Sequence, residues 1–312
     1  MRVAAIDCGT NSLRLLVADL DAATGASVEV ERRTTIVRLG QGVDRTGVFA
    51  AEALQRTFAT LADYAAVIAS LDVANVRMVA TSAARDAANR EVFLTGARDR
   101  VGVPVDVVSG DDEGRLSYDG ATRGLGPADD LAPPLLVLDI GGGSTELVLR
   151  PDAEADVVGR SLAIGSVRLT ERHLRDDPPA SYQVDAAVAD IEAALDTLDL
   201  PLAEVRTLVG VAGTTLTMAA MVLDLPAYDC DAVHLARIDA RQLLRAVDDI
   251  VAMSVAERGA LPFMHPDRAD VIGAGALVLG RVVRRLGVDT LVASSHDILD
   301  GIAWSLLDGH RR

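Results

Sequence analysis

Residues 3–20 read VAAIDCGTNSLRLLVADL, and residues 135–150 read LLVLDIGGGSTELVLR. In each stretch an apolar strand leads into an aspartate and a glycine-rich turn, and a second apolar strand follows. This order predicts a β-hairpin whose tip exposes backbone N–H groups, because glycine lets the chain approach a ligand closely. Four aligned pairs share the same offsets: Asp7 with Asp139, Gly9 with Gly141, Ser12 with Ser144, and Arg14 with Glu146. The repetition predicts a duplicated phosphate clamp.

Composition narrows the class of protein. The chain has 312 residues, of which 50% are hydrophobic, enough for two domains of ordinary size. No apolar run approaches the roughly 18 residues of a membrane span, and Asp7 follows too early for a signal peptide. Cys8, Cys230 and five scattered histidines have neither disulfide-framework nor metal-site spacing. We therefore expect a cytoplasmic protein without membrane association, and we also predict a homodimer.

Acidic residues strongly outnumber basic residues in this chain. The net charge is −16, and all 30 basic residues are arginines. A chain this acidic is a poor general binder of nucleic acid, so we expect no nucleic-acid partner. Because there is no lysine, a phosphate here would meet a planar, bidentate guanidinium and not a Walker-type lysine.

Hydrophobic periodicity predicts an α/β fold in which each half begins with a hairpin and continues as alternating strands and helices. The predicted strands are 3–8, 13–19, 27–39, 76–81, 104–109, 206–212 and 289–294. The predicted helices are 50–72, 88–101, one beginning near Asp111, 183–198, 215–224, 239–252, 267–286 and 298–308. Residues 125–134, LGPADDLAPP, read as a linker. The predicted domains are 1–126 and 127–312, with a cleft between them.

The two turns carry the candidate anion-binding residues. In the first hairpin they are Gly9, Thr10, Asn11, Ser12 and Arg14. In the second they are the backbone amides of Gly141, Gly142, Gly143 and Ser144. Strand alternation puts Ser12 with Arg14, and Ser144 with Glu146, on one face each. Carboxylates beside a phosphate loop make chemical sense with a hard cation between them, so Asp139 and Glu146 are predicted to bind Mg²⁺ or Mn²⁺. The alternative is an aspartate that only hydrogen-bonds its own turn.

Three further motifs carry polar residues. GVAGTTLT puts Gly213 and Thr214 where a strand meets a helix, a corner that attracts phosphate or nucleotide but also serves packing and capping. TSAAR places Arg85 after a strand, as a further phosphate contact. In SGDDEGRL, Glu113 is either helix-capping charge or a base that activates water.

Taken in order and at these spacings, DCGTNS, TSAAR, SGDDEGRL, DIGGGSTEL and GVAGTTLT resemble the exopolyphosphatase and guanosine-pentaphosphate phosphatase family over essentially the whole chain. The resemblance implies two ribonuclease-H-like domains of the actin, sugar kinase and Hsp70 superfamily. It also implies Mg²⁺-dependent hydrolysis of terminal phosphoanhydride bonds. On this basis Glu113 is the general base, Arg85 contacts phosphate, and residues Asp139, Gly141, Gly142, Gly143, Ser144 and Glu146 form the second phosphate and metal loop.

Two departures from the family pattern are visible. Longer members carry a helical HD-like domain that 312 residues do not accommodate, so the chain resembles the short, two-domain subgroup. Gly114 stands where the family often has alanine, which keeps the base but loosens its helix.

Several functions stay open at this point. The leading interpretation is an exopolyphosphatase that acts on inorganic polyphosphate, especially short chains. Hydrolysis of guanosine pentaphosphate uses the same chemistry. An actin-fold ATP-dependent kinase and a non-catalytic polyphosphate or alarmone sensor are the alternatives from other classes. Glu113 ahead of the second turn favours water activation over phosphoryl transfer to a sugar, and the intact set of acid, metal and loop residues disfavours the sensor.

Overall fold

The structure is a computed structural model that describes residues 1–123, 125 and 131–308. The chain forms two compact units: Met1–Leu125 together with Asp297–Arg312, and Gly126–His296. The break after Leu125 lies beside the predicted boundary at 126/127. Of the predicted linker 125–134, residues 126–130 lie outside the described residues.

The first unit is built on a five-stranded sheet in the order β3-β2-β1-β4-β5. Strands β1, β2 and β3 are antiparallel neighbours, whereas β4 and β5 run parallel to β1. Its elements up to the break are β1 Arg2–Cys8, β2 Ser12–Leu20, β3 Ser27–Ile36, α1 Val43–Thr46, α2 Ala51–Ala69, β4 Asn75–Ala80, α3 Ser82–Asp86, α4 Arg90–Val101, β5 Val105–Val107 and α5 Gly110–Thr122.

The second unit is built on a six-stranded sheet in the order β10-β11-β9-β6-β7-β8. Short 3₁₀ turns at Leu202–Glu204 and Pro266–Arg268 connect some of its elements. Those elements are β6 Leu135–Ile140, β7 Thr145–Arg150, β8 Val158–Leu162, α6 Ser166–Arg172, α7 Ser181–Leu195, β9 Thr207–Val211, α8 Ala212–Val222, α9 Cys230–Val233, β10 Arg237–Asp239, α10 Ala240–Ala252, α11 Val255–Gly259, α12 Ile272–Leu286 and β11 Thr290–Ala293. The last helix of the chain is α13 Ile298–Asp308.

The two sheets repeat one topology. The order β8-β7-β6-β9-β11 in the second unit matches β3-β2-β1-β4-β5 in the first, and β10 is an added edge strand. In both units the hairpin strands are antiparallel and the next strands are parallel to the first. The repetition confirms the predicted pair of related α/β domains.

Helix α13 differs from the predicted domain assignment. The prediction placed it in the domain 127–312, but it packs on the first sheet. Ile298, Leu299 and Trp304 form a buried cluster with Val3 and Ala5 of β1. Its apolar character was recognisable in the sequence, but the sheet that it covers was not.

Helix α13 also crosses helix α5 at very short range. A Cβ atom built on Gly301 would lie 1.9 Å from the carbonyl oxygen of Leu116, and one on Gly120 would lie 1.8 Å from that of Asp297. Only glycine permits this backbone contact. The crossing fixes the helix that carries Glu113 against α13.

Strand β1 is buried on both faces, and its alternation sorts the site residues. Ala4 and Ile6 join the core that contains α2 and α4, whereas Val3 and Ala5 join the α13 cluster. With a period of two, Asp7 shares the face of Val3 and Ala5. The carboxylate of Asp7 therefore lies on the α13 side of the sheet.

Candidate active site

The first loop, residues 9–12, closes the hairpin between β1 and β2. The amide of Gly9 donates to the carbonyl oxygen of Ser12 at 3.0 Å. The carbonyl oxygens of Thr10 and Asn11 accept hydrogen bonds at 2.8–3.0 Å from backbone amides within residues 37–40. The loop is therefore tied by its carbonyl groups to the segment that follows β3.

The second loop, residues 141–144, has the same construction. Gly141 N–H donates to Ser144 O at 3.0 Å, as in the first loop. The carbonyl oxygens of residues 141–143 accept hydrogen bonds from residues 166–168, at the start of α6. A Cβ atom on Gly165 would lie 2.6 Å from the backbone of Gly142, so only glycine fits there.

This anchoring decides where the amides of the second loop point. In a trans peptide the C=O of one residue and the N–H of the next point in opposite directions. Since three successive carbonyl groups point toward α6, the amides of Gly142, Gly143 and Ser144 point away from it. Within the described part of the chain these three amides donate to no protein acceptor. The Gly141 amide differs from these three, because its N–H donates to Ser144 O inside the turn.

The polar side chains of the first loop have different surroundings. Thr10 is buried, and its methyl group packs against Gly40, where a Cβ atom would lie 2.3 Å away. Its Oγ1 is buried without a hydrogen-bond partner. Asn11 and Ser12 are partly exposed. The side chains of Asn11 and Ser12 are therefore more accessible to an incoming anion than that of Thr10.

Arg14 belongs to a buried ion cluster and not to the loop tip. Its Nε and Nη2 donate to Asp7 Oδ2 at 2.9 and 2.6 Å, and its Nη1 pairs with Asp297 Oδ2. Three nitrogens of the guanidinium therefore bond to carboxylates. The predicted anion contact of Arg14 is not supported by this arrangement, and its charge compensates two aspartates.

Burial and the charges of this cluster shift the pKa values of its two aspartates and of the neighbouring Cys8. Burial raises the pKa of Asp7, whose Oδ1 has no hydrogen-bond partner, and Arg14 only partly offsets this effect. Burial would also raise the pKa of Asp297, but Arg14, Arg32 and the Leu299 amide outweigh it and lower that pKa. Burial raises the pKa of the Cys8 thiol well above its usual range.

Asp139 and Glu146 face each other across the second hairpin. They are partners in the β6–β7 register, as Asp7 and Arg14 are in β1–β2, which confirms the predicted alignment. Both carboxylates are buried, and Ser161 Oγ donates to Glu146 Oε1 at 2.7 Å. Directly opposite residues of a hairpin have Cβ atoms about 4.5–5.5 Å apart. Two acidic side chains are thus held side by side below the second loop.

A hard cation fits this pair. In the described residues no group of three or more His, Cys, Asp or Glu side chains is placed to hold a metal. Mg²⁺ does not need such a cage, since it commonly binds through one or two carboxylates, waters and substrate phosphates. Asp139 and Glu146 supply that donor set.

Glu113 and Arg85, predicted from separate motifs, contact each other. Arg85 Nη1 donates to Glu113 Oε2 at 2.6 Å and to Val108 O at 3.0 Å. The capping contact at the start of α5 belongs to Ser109, whose Oγ accepts the Asp112 amide at 3.1 Å. Glu113 is buried whereas Asp112 is exposed. Glu113 is therefore not explained as helix-capping charge.

The third glycine motif is covered by an arginine. Ala212, at the start of α8, has φ 61°, in the left-handed region. A Cβ atom on Gly213 would lie 1.1 Å from Arg268 Nη1, so the guanidinium lies directly against this glycine. Thr214 is buried, and its Oγ1 packs against Gly275. The guanidinium of Arg268 thus covers Gly213, and the anion contacts predicted for Gly213 and Thr214 stay predictions.

The family follows from the comparison of sequences. The sequence profile of the Ppx/GppA phosphatase family matches residues 17–310. The chain belongs to the Ppx/GppA phosphatase family. Exopolyphosphatase 2 of Mycobacterium tuberculosis is 49% identical to it, and the alignment covers 98% of each protein.

Solved structures of the Ppx/GppA family agree with this assignment. The crystal structure of an exopolyphosphatase-like protein has a TM-score of 0.92 and 41% identity, covering 98% of this chain and 97% of that one. The Aquifex aeolicus member of the Ppx/GppA family has a TM-score of 0.82 and 31% identity, covering 100% and 99%. The resemblance inferred from the motifs is confirmed, as is the two-domain actin-like fold.

Sequence reasoning missed several residues of this Ppx/GppA site. Arg168 donates through Nε to Gly143 O at 2.6 Å, Arg268 covers Gly213, and Asp297 completes the Arg14 cluster. The run GSVRLTER, residues 165–172, contained the only signal for Arg168, a glycine before a short amphipathic segment.

The helices of the described residues were also compared with the length and hydropathy of a membrane span, and none of them meets both requirements.

Proposed function

We propose that this protein is an exopolyphosphatase that removes the terminal phosphate of inorganic polyphosphate by metal-dependent hydrolysis. The second hairpin is the observation that carries the proposal. Its three outward amides and its paired acids combine an anion cradle with a cation site within one turn of chain. The name of the relative that is 49% identical supports the same substrate.

The outward amides of Gly142, Gly143 and Ser144 would bind the oxygens of the terminal phosphate. Backbone N–H groups that are already oriented need no rearrangement as negative charge develops during phosphoryl transfer. Because the loop carbonyls are satisfied by α6, the cradle presents donors and no competing acceptors. In the first unit, Asn11 and Ser12 would add further contacts to the substrate.

Asp139 and Glu146 would hold Mg²⁺ or Mn²⁺. Such an ion, when bound, neutralises charge on the transferred phosphoryl group and on the bridging oxygen. The two buried carboxylates, opposite each other on neighbouring strands, provide oxygen ligands of the kind that Mg²⁺ prefers, which supports this role.

Glu113 would accept the proton of the attacking water. The contact of Arg85 with its Oε2 fixes the orientation of the carboxylate, which a general base requires. Arg85 would orient Glu113 and would also contact a phosphate of the substrate. The family assignment disfavours the kinase alternative.

Released phosphate, measured in parallel from polyphosphate, guanosine pentaphosphate and ATP, tests the proposal. We expect polyphosphate to give the highest kcat/KM, with no activity in chelator and recovery with Mg²⁺ or Mn²⁺. Guanosine pentaphosphate as the preferred substrate would favour the second activity of the family. Binding of polyphosphate without phosphate release would favour the sensor.

Other features remain predictions. A homodimer is tested by light scattering on the purified protein, and a cytoplasmic location by cell fractionation. The net charge of −16 supports the expectation that nucleic acid is not a partner, which a binding assay at low salt would check.

A further inference from the structure

The three anchored peptides of the second loop are held by different kinds of donor. The carbonyl of Gly141 accepts the backbone amide of Ser166 at 3.0 Å. That of Gly142 accepts the amides of Val167 and Arg168 at 2.9 and 3.1 Å. The carbonyl of Gly143 accepts Arg168 Nε at 2.6 Å, and no backbone amide in the described ranges donates to it. One peptide of the cradle therefore depends on a side chain for its orientation.

The equivalent position of the first loop has no such dependence. Asn11 aligns with Gly143, and its carbonyl accepts the backbone amides of Val37 and Arg38 at 3.0 and 2.8 Å. Those bonds survive most side-chain substitutions. The contrast isolates Arg168 as the replaceable anchor among the loop contacts described.

Rotation of the Gly143–Ser144 peptide changes ψ of Gly143 and φ of Ser144. Because Gly143 has no Cβ atom, its side of the peptide offers little steric resistance, and the hydrogen bond to the carbonyl is what holds the orientation. A turned peptide would direct the carbonyl oxygen of Gly143 into the cradle and withdraw the Ser144 amide. An acceptor in place of a donor repels a phosphate oxygen.

We propose that Arg168 is a positioning residue that holds the Gly143–Ser144 peptide with its N–H directed at the terminal phosphate of the substrate. The proposal rests on the proposed function, because it presumes that the second loop receives a phosphate. Arg168 acts here through the loop and not by contact with the reacting atoms. The Nε–H bond, charge-assisted and short, is the kind that contributes most to orientation.

The experiment compares Arg168→Met with Arg172→Met. Methionine keeps an unbranched apolar stem but removes the donor. Arg172 lies one turn further along α6, where it pairs with Asp190 at 3.1 Å, and serves as the matched control. Tripolyphosphate is titrated into each ¹⁵N-labelled protein in chelator, so that no turnover occurs, and amide resonances and dissociation constants are recorded.

In the unaltered protein we expect the amide resonances of Gly142, Gly143 and Ser144 to shift on saturation. In Arg168→Met the Ser144 response should disappear, the Gly143 response should remain, and the affinity should fall roughly ten- to hundredfold. Arg172→Met should behave as the unaltered protein. Thermal unfolding checks that each variant is folded, and Arg168→Leu, which also removes every donor, replaces the methionine variant if that one does not fold.

A full Ser144 response in a folded Arg168 variant would overturn the positioning role while leaving the phosphate cradle intact. Absence of any response of the loop in the unaltered protein, both in chelator and with Mg²⁺ and a non-hydrolysable tripolyphosphate analogue, would instead remove the cradle itself, and with it both proposals. The two failures are therefore distinguished by the unaltered protein alone.

Discussion

The two hairpins share a backbone and differ in charge. In the first, Asp7 faces Arg14 across the strands, and Asp297 joins them, so the charges compensate within the protein. In the second, Asp139 faces Glu146, an acid opposite an acid. Replacement of one cation by one anion at equivalent positions turns a structural ion pair into a candidate metal site. The backbone turn is thus a common scaffold, and the residue opposite the aspartate determines its chemistry.

The comparison divides the proposed reaction between the two units. The first unit contributes the base, Glu113, and a hairpin whose charges compensate one another. The second contributes the anion cradle and the acids. Each part of this division is testable by substitutions that preserve side-chain shape.

The largest effect is expected at Glu113. Glu113→Gln keeps the size of the side chain and its bond from Arg85 but removes proton acceptance. We expect kcat to fall by about 10²–10⁴, the usual contribution of a general base, with little change in polyphosphate binding. Steady-state phosphate release and equilibrium binding of tripolyphosphate measure the two quantities separately.

Asp111→Asn is the matched control, since Asp111 lies on the same helix but is exposed. It should leave kcat unchanged. Near-normal turnover in Glu113→Gln would show that the base lies elsewhere.

The second effect sharpens the contrast between the hairpins. Asp139→Asn and Glu146→Gln should each lower activity about a hundredfold or more, because the cation contributes several kcal/mol to the transition state. They should also raise the Mg²⁺ concentration needed for half-maximal rate. Rates over a range of Mg²⁺ concentrations measure this, with Asp185→Asn on the surface of α7 as control. An unchanged Mg²⁺ requirement would mean that the acids only order their turn.

The third effect concerns stability, at the first hairpin. Arg14→Met leaves the carboxylates of Asp7 and Asp297 buried without their shared cation, and we expect about 3–5 kcal/mol of destabilisation at pH 7. Urea unfolding measures this. Arg2→Met breaks an exposed pair with Asp19 and should leave the free energy of unfolding nearly unchanged. Equal losses in both variants would contradict a buried, structural role for Arg14.

The pH dependence of that loss has a definite sign. Burial already raises the pKa of Asp7, and without Arg14 it rises further above the unfolded value, while Asp297 loses one of the groups that lower its pKa. A raised pKa makes the folded state less stable as pH climbs from the unfolded pKa through the folded one. The deficit of Arg14→Met should therefore be largest near pH 7 and shrink toward pH 4, which unfolding curves at several pH values would show.

The smallest effect concerns salt and chain length. Because Arg14 is bound to carboxylates, few cationic side chains remain to contact polyphosphate. The net charge of −16 also repels the polyanion. For two or three phosphate contacts, a fourfold rise in salt should raise KM about five- to twentyfold with kcat unchanged.

We further expect distributive action that favours short chains. A gel of a long-chain digest should show the whole population shortening together; full-length chains persisting beside phosphate, without intermediates, would show processive action instead.

Local patterns predicted the hairpins and most helices because their signals lie within a few residues. The shared offsets aligned Asp7 with Asp139 and Arg14 with Glu146, and the structure places the aligned residues at equivalent positions of the two hairpins. That the two residues face each other within each hairpin was not predicted. Short elements such as β8 and α6 were missed, since seven or fewer residues give too little periodicity.

Contacts between distant residues could not be predicted in this way. Arg14 and Asp297 are 283 residues apart, and an arginine beside a phosphate turn is as consistent with an anion contact as with an ion pair. Arg168 and Gly143 are 25 residues apart, joined only after β8 and α6 have folded back on the loop. An apolar stripe likewise shows that α13 is buried but does not say on which sheet.

The return of α13 to the first sheet makes the second unit an insertion within the first, and this has a consequence during synthesis. Domains generally fold as units in the order in which they leave the ribosome. Here the first sheet has one face uncovered until the 11 residues of Ile298–Asp308 have been made, because Ile298, Leu299 and Trp304 complete that core. The second unit is continuous in sequence, from Gly126 to His296, and has all of its residues earlier. The half of the molecule that is translated first is therefore the half that finishes folding last.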